Sequence, residues 1–405
     1  MDENKVRSRL ELRPVEMGHL DQFNELLRYV FQVTNQEIRR SGYKEGELLR
    51  SKRPVLRESE VIGWFDGDKL VSSVSIYPRQ ANIHGRIYEM AGLTGVGTYP
   101  EYANLGLMSD LIKTALIKMR ESGQWISYLY PYSIPYYRKK GWEIITEMIS
   151  YTVKDTQLPK HVDAPGFVER LPVDDSDVIS VYDKFSRKNH GAMIRSPIAW
   201  EEYWRWENEE ERTAAVYYNV LEEPAGLLFY WVADDIFHIK EMVYLNQEAR
   251  YGLWNFISAH FSMVNEVRGN IYKNEPIAFL LEDSMIPETI EPYYMARIVD
   301  VRAFLENYPF DGTTSPFHFI VEDPIAEWNS GIFSVSWDEN GKIKISNEPA
   351  GKPVQLNIQT LTALLMSYRN PYYFNEIERL ETDAETLKVL DRIIPDRRPY
   401  FSDYF

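Results

Sequence analysis

The spacing of hydrophobic residues changes from strand-like to helical and back between Glu89 and Trp142. Mostly apolar runs at residues 88–98 and 126–130 predict two buried strands. Between them, apolar residues recur every three or four positions, which is the spacing of one buried helix face. These residues are Leu107, Met108, Leu111, Ile112, Ala115, Leu116 and Met119. The stretch therefore predicts a strand, a helix and a second strand, with the helix packed on a sheet.

The residues before this stretch predict further strands and two helices. The predicted strands are residues 10–14, 61–65 and 70–77, and the predicted helices are residues 20–31 and 35–40. Asp66-Gly67 lies between two of these strands, and this pair is typical of a two-residue hairpin turn. The first part of the chain is therefore expected to form a mixed sheet flanked by helices.

Two more segments of mixed helix and strand follow. Residues 155–165 are polar and contain two prolines, which indicates a linker. The sequence Y-P-E-Y-A-N-L-G-L at residues 99–107 is partly repeated as Y-L-N-Q-E-A-R-Y-G-L at residues 244–253, again before an apolar helix. We therefore expect the second segment to be a degenerate copy of the first. It has no counterpart of residues 137–142, because the next predicted strand, residues 277–281, runs into Glu282-Asp283, and we expect it to bind no cofactor. The predicted fold is α/β (α+β), with domains at residues 1–154, 155–293 and 294–405.

Composition and charge exclude several classes of function. The 405 residues include no cysteine, so disulfides, thiolate metal sites and cysteine nucleophiles are excluded. The seven histidines lack metal-ligand spacing, and we expect no metal. No apolar run reaches the ~18 residues of a membrane span, and we expect a cytoplasmic protein without a membrane partner. The formal net charge of −16 argues against nucleic acid and suits a cationic substrate.

Gly106 stands where the loop after the first buried strand becomes the helix. Free backbone N–H groups and the positive end of the helix dipole favour an anion there, and a glycine lets a phosphate approach closely. The loop is not a Walker motif, because no Gly-Lys-Ser/Thr follows. It is not a dinucleotide fingerprint either, because Pro100 stands where the third glycine after Gly95 and Gly97 would be.

This order of elements resembles the acyl-CoA core of the GNAT N-acetyltransferases. In their phosphate loop, Arg/Gln-x-x-Gly-x-Gly/Ala, Ala103 and Met108 here replace the first and last residues, and Gly106 is kept. Tyr137, followed by Gly141-Trp142, matches the Tyr-x-x-x-Gly-aromatic signature after the fifth GNAT strand. The resemblance implies acetyl-CoA as the acetyl donor. It also implies that the donor is bound by Val96, Gly97, Thr98, Ala103, Asn104, Leu105, Gly106, Leu107 and Met108.

The whole chain is similar to the Eis-type (enhanced intracellular survival) acetyltransferases. These join an active GNAT domain, an inactive GNAT-like domain and a sterol-carrier-like domain, and the order of segments, residues 295–301 and the aromatic C-terminus carry the similarity. It implies direct acetyl transfer to an amine, with Tyr137 as general acid and the terminal carboxylate of Phe405 as general base. It also implies polyamine-like acceptors such as aminoglycosides, and a homo-oligomer, a hexamer. Glu37 and Asp403 are candidate acidic residues for the acceptor.

Two other functions remain open. Ala103 and Met108 at motif positions leave room for a non-catalytic relic whose C-terminal domain binds an apolar ligand; this predicts no binding of acetyl-CoA. A protein-lysine acetyltransferase uses the same chemistry, and only its acceptor profile separates it from an enzyme for small amines.

Overall fold

The computed structural model describes residues 6–43, 46–208, 211–273 and 275–405. The strands in these ranges are β1 (Leu10–Pro14), β2 (Glu60–Asp66), β3 (Lys69–Ile83), β4 (Arg86–Thr98), β5 (Ile126–Leu129), β6 (Glu143–Ile144), β7 (Glu147–Lys154), β8 (Phe167–Leu171), β9 (Met193–Ile194), β10 (Thr213–Tyr218), β11 (Pro224–Ala233), β12 (Ile236–Tyr244), β13 (Glu266–Ile271), β14 (Glu288–Pro292), β15 (Met295–Ile298), β16 (Phe317–Glu322), β17 (Gly331–Trp337), β18 (Ile343–Ser346), β19 (Lys352–Asn357) and β20 (Leu380–Glu381). The α-helices are α1 (Leu20–Val30), α2 (Asn35–Arg40), α3 (Glu47–Glu58), α4 (Leu107–Glu121), α5 (Ile134–Arg138), α6 (Ser176–Ser186), α7 (Pro197–Tyr203), α8 (Gln247–Ser258), α9 (Val301–Asn307), α10 (Ile358–Leu365), α11 (Pro371–Glu376) and α12 (Ala384–Ile393).

Within the described residues the strands form three sheets, one for each segment predicted from the sequence. The first has the order β1-β2-β3-β4-β5-β15-β6, with β9 paired to β3. The second has the order β14-β7-β13-β12-β11-β10-β8, and the third has the order β18-β17-β16-β19-β20. The mixed α/β class predicted from the sequence is confirmed.

The predicted elements around Gly106 are confirmed nearly to the residue. Helix α4 ends at Glu121, and six of the seven predicted apolar residues on it are buried, Met108 being half-buried. The hairpin at Asp66-Gly67 is present, with Asp66 paired to Lys69 and a left-handed Gly67. Strand β3 is longer than predicted, since it pairs with β4 from Ser72 to Ile83 and is buried at most positions.

Three strands cross the predicted domain boundaries. Strand β9 belongs to the second segment, yet it pairs with β3 in the first sheet. Strand β7 lies before residue 154, yet it pairs with β13 and β14 in the second sheet. Strand β15 follows the second segment, yet it lies between β5 and β6 in the first sheet. The boundaries at residues 154 and 293 remain predictions, and the first two segments each contribute strands to the sheet of another segment or receive one.

Buried side chains also join the three sheets. One apolar cluster contains residues of each sheet, among them Tyr128 in β5, Val216 in β10 and Phe319 in β16. Such a shared core fixes the sheets relative to one another, because each would otherwise expose apolar surface. The C-terminal residues Tyr400 and Phe401 belong to the same cluster.

Candidate active site

The parallel strands β4 and β5 pair only over a short length. Their ladder runs from Met90 opposite Ile126 to Gly92 opposite Tyr128. Beyond this point β5 ends at Leu129, whereas β4 continues against β3 to Thr98. The two strands therefore part after Gly92, and the end of β4 that carries Val96 and Gly97 extends beyond its partner.

The loop between β4 and α4 is exposed at the surface. Ala103, Asn104 and Gly106 are exposed, and both Asn104 and Gly106 have left-handed backbones, with φ of 62° and 74°. Helix α4 begins directly after Gly106, as predicted. Leu105 is half-buried, and Leu107 turns inward into a small cluster. The free amides of the first helical turn thus lie beside an accessible loop, which suits a phosphate.

Arg7 supplies a positive charge at this loop that the sequence analysis did not assign. Its guanidinium donates to the carbonyl oxygen of Leu105 and to the carboxylate of Asp110. A Cβ on Gly106 would lie 3.2 Å from Nη1 of Arg7. The GNAT motif expects a cation at the position of Ala103; here one comes from a residue about a hundred positions away, for which the sequence holds no local signal.

Tyr137 is held by the short helix α5 that follows β5. Pro135 opens this helix, and the ring of Tyr137 packs edge-on against Tyr136 and Trp142, with centroids 5.3 and 6.2 Å apart. The side chain is 6% exposed, and burial raises the pKa of its phenol above the usual 10.0. The phenol therefore stays protonated at neutral pH and is able to donate a proton.

Gly141 of the Tyr-x-x-x-Gly-aromatic signature is needed for two structural reasons. Its backbone is left-handed, with φ of 94°. A Cβ there would also overlap the guanidinium of Arg297, which is fully buried, donates to the carbonyl of Lys140 and pairs with Asp323. The turn that positions Tyr137 is therefore shaped by β15, a strand from beyond the second sheet.

The C-terminal tail docks on the first sheet, as its aromatic residues predict. The ring of Phe405 lies against Gly92, where a Cβ would be 2.7 Å from its Cε2 atom. Tyr77 and Tyr294 flank this ring with centroids 6.2 and 5.5 Å away, and the Tyr294 hydroxyl accepts a hydrogen bond of 3.1 Å from the backbone of Phe405.

The surroundings of both predicted catalytic residues include residues of β4. Tyr137 shares a buried cluster with Ala91 and Leu93, whereas Phe405 contacts Gly92 between them. The catalytic roles of Tyr137 and Phe405 stay predictions.

The two acidic residues expected to bind the acceptor have other contacts. Glu37 is exposed and caps helix α2, where it accepts hydrogen bonds from the Thr34 backbone at 2.7 Å and hydroxyl at 3.0 Å, and these bonds lower the pKa of Glu37. Asp403 is buried in an ion pair with Arg195 at 2.7 Å. Glu37 therefore caps a helix and Asp403 anchors the tail, and the role of either in binding the acceptor stays a prediction.

Two expected absences concern membranes and metals. Within residues 6–43, 46–208, 211–273 and 275–405, no helix is both long and apolar enough to cross a membrane. Among the same residues, no three histidine, aspartate or glutamate side chains are grouped to hold a metal ion.

Comparison with known proteins agrees with this geometry. A model described as an acetyltransferase (GNAT) domain matches residues 11–145, a second model of that description matches residues 191–298, and a sterol carrier protein domain matches residues 301–402. No curated protein matches the chain.

Solved structures match along the whole length. A conserved protein from Enterococcus faecalis V583, described as a probable N-acyltransferase, is 28% identical with a TM-score of 0.87, over 98% of this chain and 99% of that one. A GCN5-related N-acetyltransferase from Anabaena variabilis is 23% identical with a TM-score of 0.84, and Eis1 from Mycobacterium abscessus is 15% identical with a TM-score of 0.82; each match covers 98% of this chain and 100% of the other. The chain is a GNAT acyltransferase of Eis-type architecture. A GNAT fold implies acetyl-CoA as donor, and the exposed loop, the start of α4 and Arg7 fit its anionic phosphates.

The second domain of this GNAT acyltransferase keeps the fold but not the loop. Strands β12 and β13 are parallel and joined by α8, as β4 and β5 are joined by α4. The sequence repeat places Gly252 at the start of the helix, and this is wrong: α8 begins earlier, at Gln247, and Gly252 lies against the ring of Tyr217. That this domain binds no cofactor stays a prediction.

Proposed function

We propose that this GNAT acyltransferase transfers the acetyl group of acetyl-CoA to a primary amine of a polycationic small molecule, such as an aminoglycoside, directly in a ternary complex. The contact of the C-terminal Phe405 with Gly92 carries the proposal. Gly92 is the last residue of β4 that pairs with β5, and Tyr137 belongs to a buried cluster that also contains its neighbours Ala91 and Leu93.

The donor would be held by backbone groups more than by side chains. We assign the phosphates to the amides of residues 103–108, with Arg7 as the nearby cation. We assign the carbonyl oxygen of the thioester to backbone amides near Val96 and Gly97, because fixed N–H donors stabilise the negative charge that develops there. Thr98 completes this set, and its hydroxyl already contacts that of Ser72 at 2.6 Å.

Phe405 and Tyr137 would each carry out one proton transfer. The amine attacks the acetyl carbon, the new C–N bond forms, and the C–S bond breaks. The nitrogen loses one proton to the terminal carboxylate of Phe405, through a water molecule. The departing thiolate takes one proton from Tyr137, whose phenol regains it from solvent. Direct transfer needs no enzyme nucleophile, in accord with a chain that contains no cysteine.

Charge and exposed aromatic rings support a polycationic acceptor. The net charge of −16 attracts cations over a distance. Tyr132 is 88% exposed, and Tyr130 and Tyr404 are partly exposed, with ring centroids 5.1 Å apart. Ammonium groups bind favourably over such rings, at about 0.5–1 kcal/mol each at exposed sites. Since Tyr404 precedes Phe405 and its ring contacts that of Tyr130, these two rings stand near the proposed base.

Thiol release tests the proposal directly. The purified protein is mixed with acetyl-CoA and kanamycin, tobramycin or spermidine, and free coenzyme A is followed with a thiol reagent. The protein adds no thiol background, because it contains no cysteine. We expect release that depends on both acceptor and enzyme. Release at the hydrolysis rate with every polyamine would reject the proposal, and calorimetry with acetyl-CoA would then distinguish a relic from an enzyme with another acceptor.

A further inference from the structure

Arg195, next to strand β9, is a fully buried cation in contact with the C-terminal tail. Its side chain is 0% exposed. Nε donates to Asp403 at 2.7 Å, and Nη2 donates to Glu241 at 3.0 Å and to the Ser402 hydroxyl at 3.2 Å. One guanidinium, next to a strand of the first sheet, thus links β12 of the second sheet to two consecutive residues of the tail.

Aromatic rings packed around the guanidinium of Arg195 fix the position of its side chain. The rings of Tyr182 and Tyr203 both lie 3.7 Å from Cζ, and that of Trp200 lies 4.5 Å away. Aromatic faces stabilise a desolvated cation, and their rigid packing prevents the guanidinium from following a displaced partner. Removing one partner of a buried ion pair is strongly unfavourable, because the other charge stays buried. The pair therefore fixes Asp403 tightly.

Glu241 extends the same network to the start of the tail. It accepts hydrogen bonds from the hydroxyls of Tyr400 and Ser402, and from that of Tyr203 at 2.8 Å. Charge-assisted hydrogen bonds of this kind are stronger than those between neutral groups. A carboxylate of β12 thus holds the side chains of Tyr400 and Ser402, and the Ser402 hydroxyl is shared with Arg195.

The main chain of the tail is bound as well. The amide of Tyr400 donates to the carbonyl of His190 at 2.8 Å, and the hydroxyl of Tyr293 donates to the carbonyl of Asp403 at 2.9 Å. The residues after Pro395 form neither helix nor strand. Chain termini without such contacts usually fray, so this order comes from the groups that bind the tail.

We infer that the second, GNAT-like domain is a clamp for the C-terminal tail, and that Arg195 is its central positioning residue. The inference rests on the proposed function, since it gives the clamp the task of aiming the terminal carboxylate. Asp403 lies two residues before Phe405, so the fixed point is within ~7 Å of the end of the chain. A misplacement of ~1 Å can cost a catalytic group about 100-fold in rate. A domain without a phosphate loop of its own would thus serve catalysis in its neighbour.

The test compares Arg195→Met, which removes the charge, with Arg195→Lys, which keeps it. Arg187→Met is the matched control, because Arg187 is an exposed residue of the same domain that pairs with Asp183 across one helical turn. Two readouts are taken. One is the release of Phe405 by carboxypeptidase A, which reports the docking of the tail without any need for activity. The other is kcat and the KM for acetyl-CoA.

We expect Arg195→Met to release Phe405 at least about tenfold faster than the wild type, since proteolysis follows the population of the open state. We also expect kcat to fall by about 100-fold with little change in the KM for acetyl-CoA. Arg195→Lys should release Phe405 more slowly than Arg195→Met and should have a higher kcat. Arg187→Met should match the wild type in both measurements. A variant that folds and releases Phe405 at the wild-type rate would overturn the clamp.

The two proposals fail in different ways. If the tail is released faster but no acceptor is ever acetylated, the clamp stands and the acetyltransferase proposal falls. If kcat of Arg195→Met equals that of the wild type despite faster release, the positioning role is rejected and the enzyme remains. Should Arg195→Met not fold, Ser402→Ala removes the hydroxyl shared by Arg195 and Glu241, and Tyr293→Phe removes one main-chain contact of the tail. Wild-type release and kcat in both variants would contradict the inference.

Discussion

The ring of Phe405, the last residue of the chain, lies against Gly92, the last residue of β4 that pairs with β5. Only glycine leaves room for the ring at position 92, because a Cβ there would lie 2.7 Å from a ring atom of Phe405. One contact thus places the proposed base, Phe405, at the residue where β4 and β5 stop pairing.

Gly92→Ala should displace the ring of Phe405 without unfolding the sheet, since a ring at the end of a tail can shift where a backbone cannot. We expect kcat to fall by roughly tenfold or more while the KM for acetyl-CoA stays within about twofold. Gly18→Ala is the control, because nothing lies within 4 Å of its Cβ position. Wild-type kcat in Gly92→Ala would show that the position of the ring does not matter for catalysis.

Tyr137→Phe should lower kcat by about 100-fold, a typical contribution of a general acid. The sign of the pH effect follows from burial, which raises the pKa of this phenol above 10.0. An acid must be protonated to act, so Tyr137 should cause no loss of rate as the pH rises from 7 to 10. A rate decline below pH 10 that disappears in Tyr137→Phe would contradict the assignment.

Arg7→Ala should weaken the binding of acetyl donors that carry phosphate groups. We expect the KM for acetyl-CoA to rise about tenfold, which corresponds to about 1.4 kcal/mol, and that for acetyl-pantetheine to stay unchanged. The control is Arg9→Ala, whose guanidinium pairs with Asp66 at 2.7 Å. If Arg7→Ala raises the KM for acetyl-CoA and for acetyl-pantetheine equally, Arg7 does not bind the phosphates.

Gly141→Ala should destabilise the fold by about 3 kcal/mol, as the sum of a left-handed backbone and an overlap with Arg297. Gly123→Ala isolates the first of these effects, because φ is +70° and nothing lies within 4 Å of its Cβ position. We expect about 1 kcal/mol for that control. Urea unfolding measures the loss of stability in both variants. If the two losses are equal, the Arg297 side chain moves away from the added methyl group at no cost in stability.

Local patterns predicted the parts of the site that neighbouring residues determine. The strand, loop and helix around Gly106 follow from periodicity and from one glycine, and the turn at Tyr137 follows from Gly141. Helix α3 was not predicted, because it contains Pro54 and several charged residues that obscure an apolar face. A proline inside a helix is normally read as its end.

Long-range pairing accounts for what the sequence did not reveal. The position of β15 between β5 and β6, the approach of Arg7 to Leu105 and the pairing of Arg195 with Asp403 each join residues far apart in the chain. No spacing rule connects such residues. Asp403 was therefore interpreted by its charge alone, and its burial against Arg195 became visible only in the fold.

The most direct test of the central claim changes the terminal carboxylate and nothing else. A chain that ends in the carboxamide of Phe405, made by ligation of an amidated peptide, keeps the ring against Gly92 and loses the charge. If the carboxylate is the base, kcat should fall by about 100-fold or more while acetyl-CoA binds with unchanged affinity in calorimetry. If the amidated enzyme turns over at the wild-type rate, the terminal carboxylate is not the base.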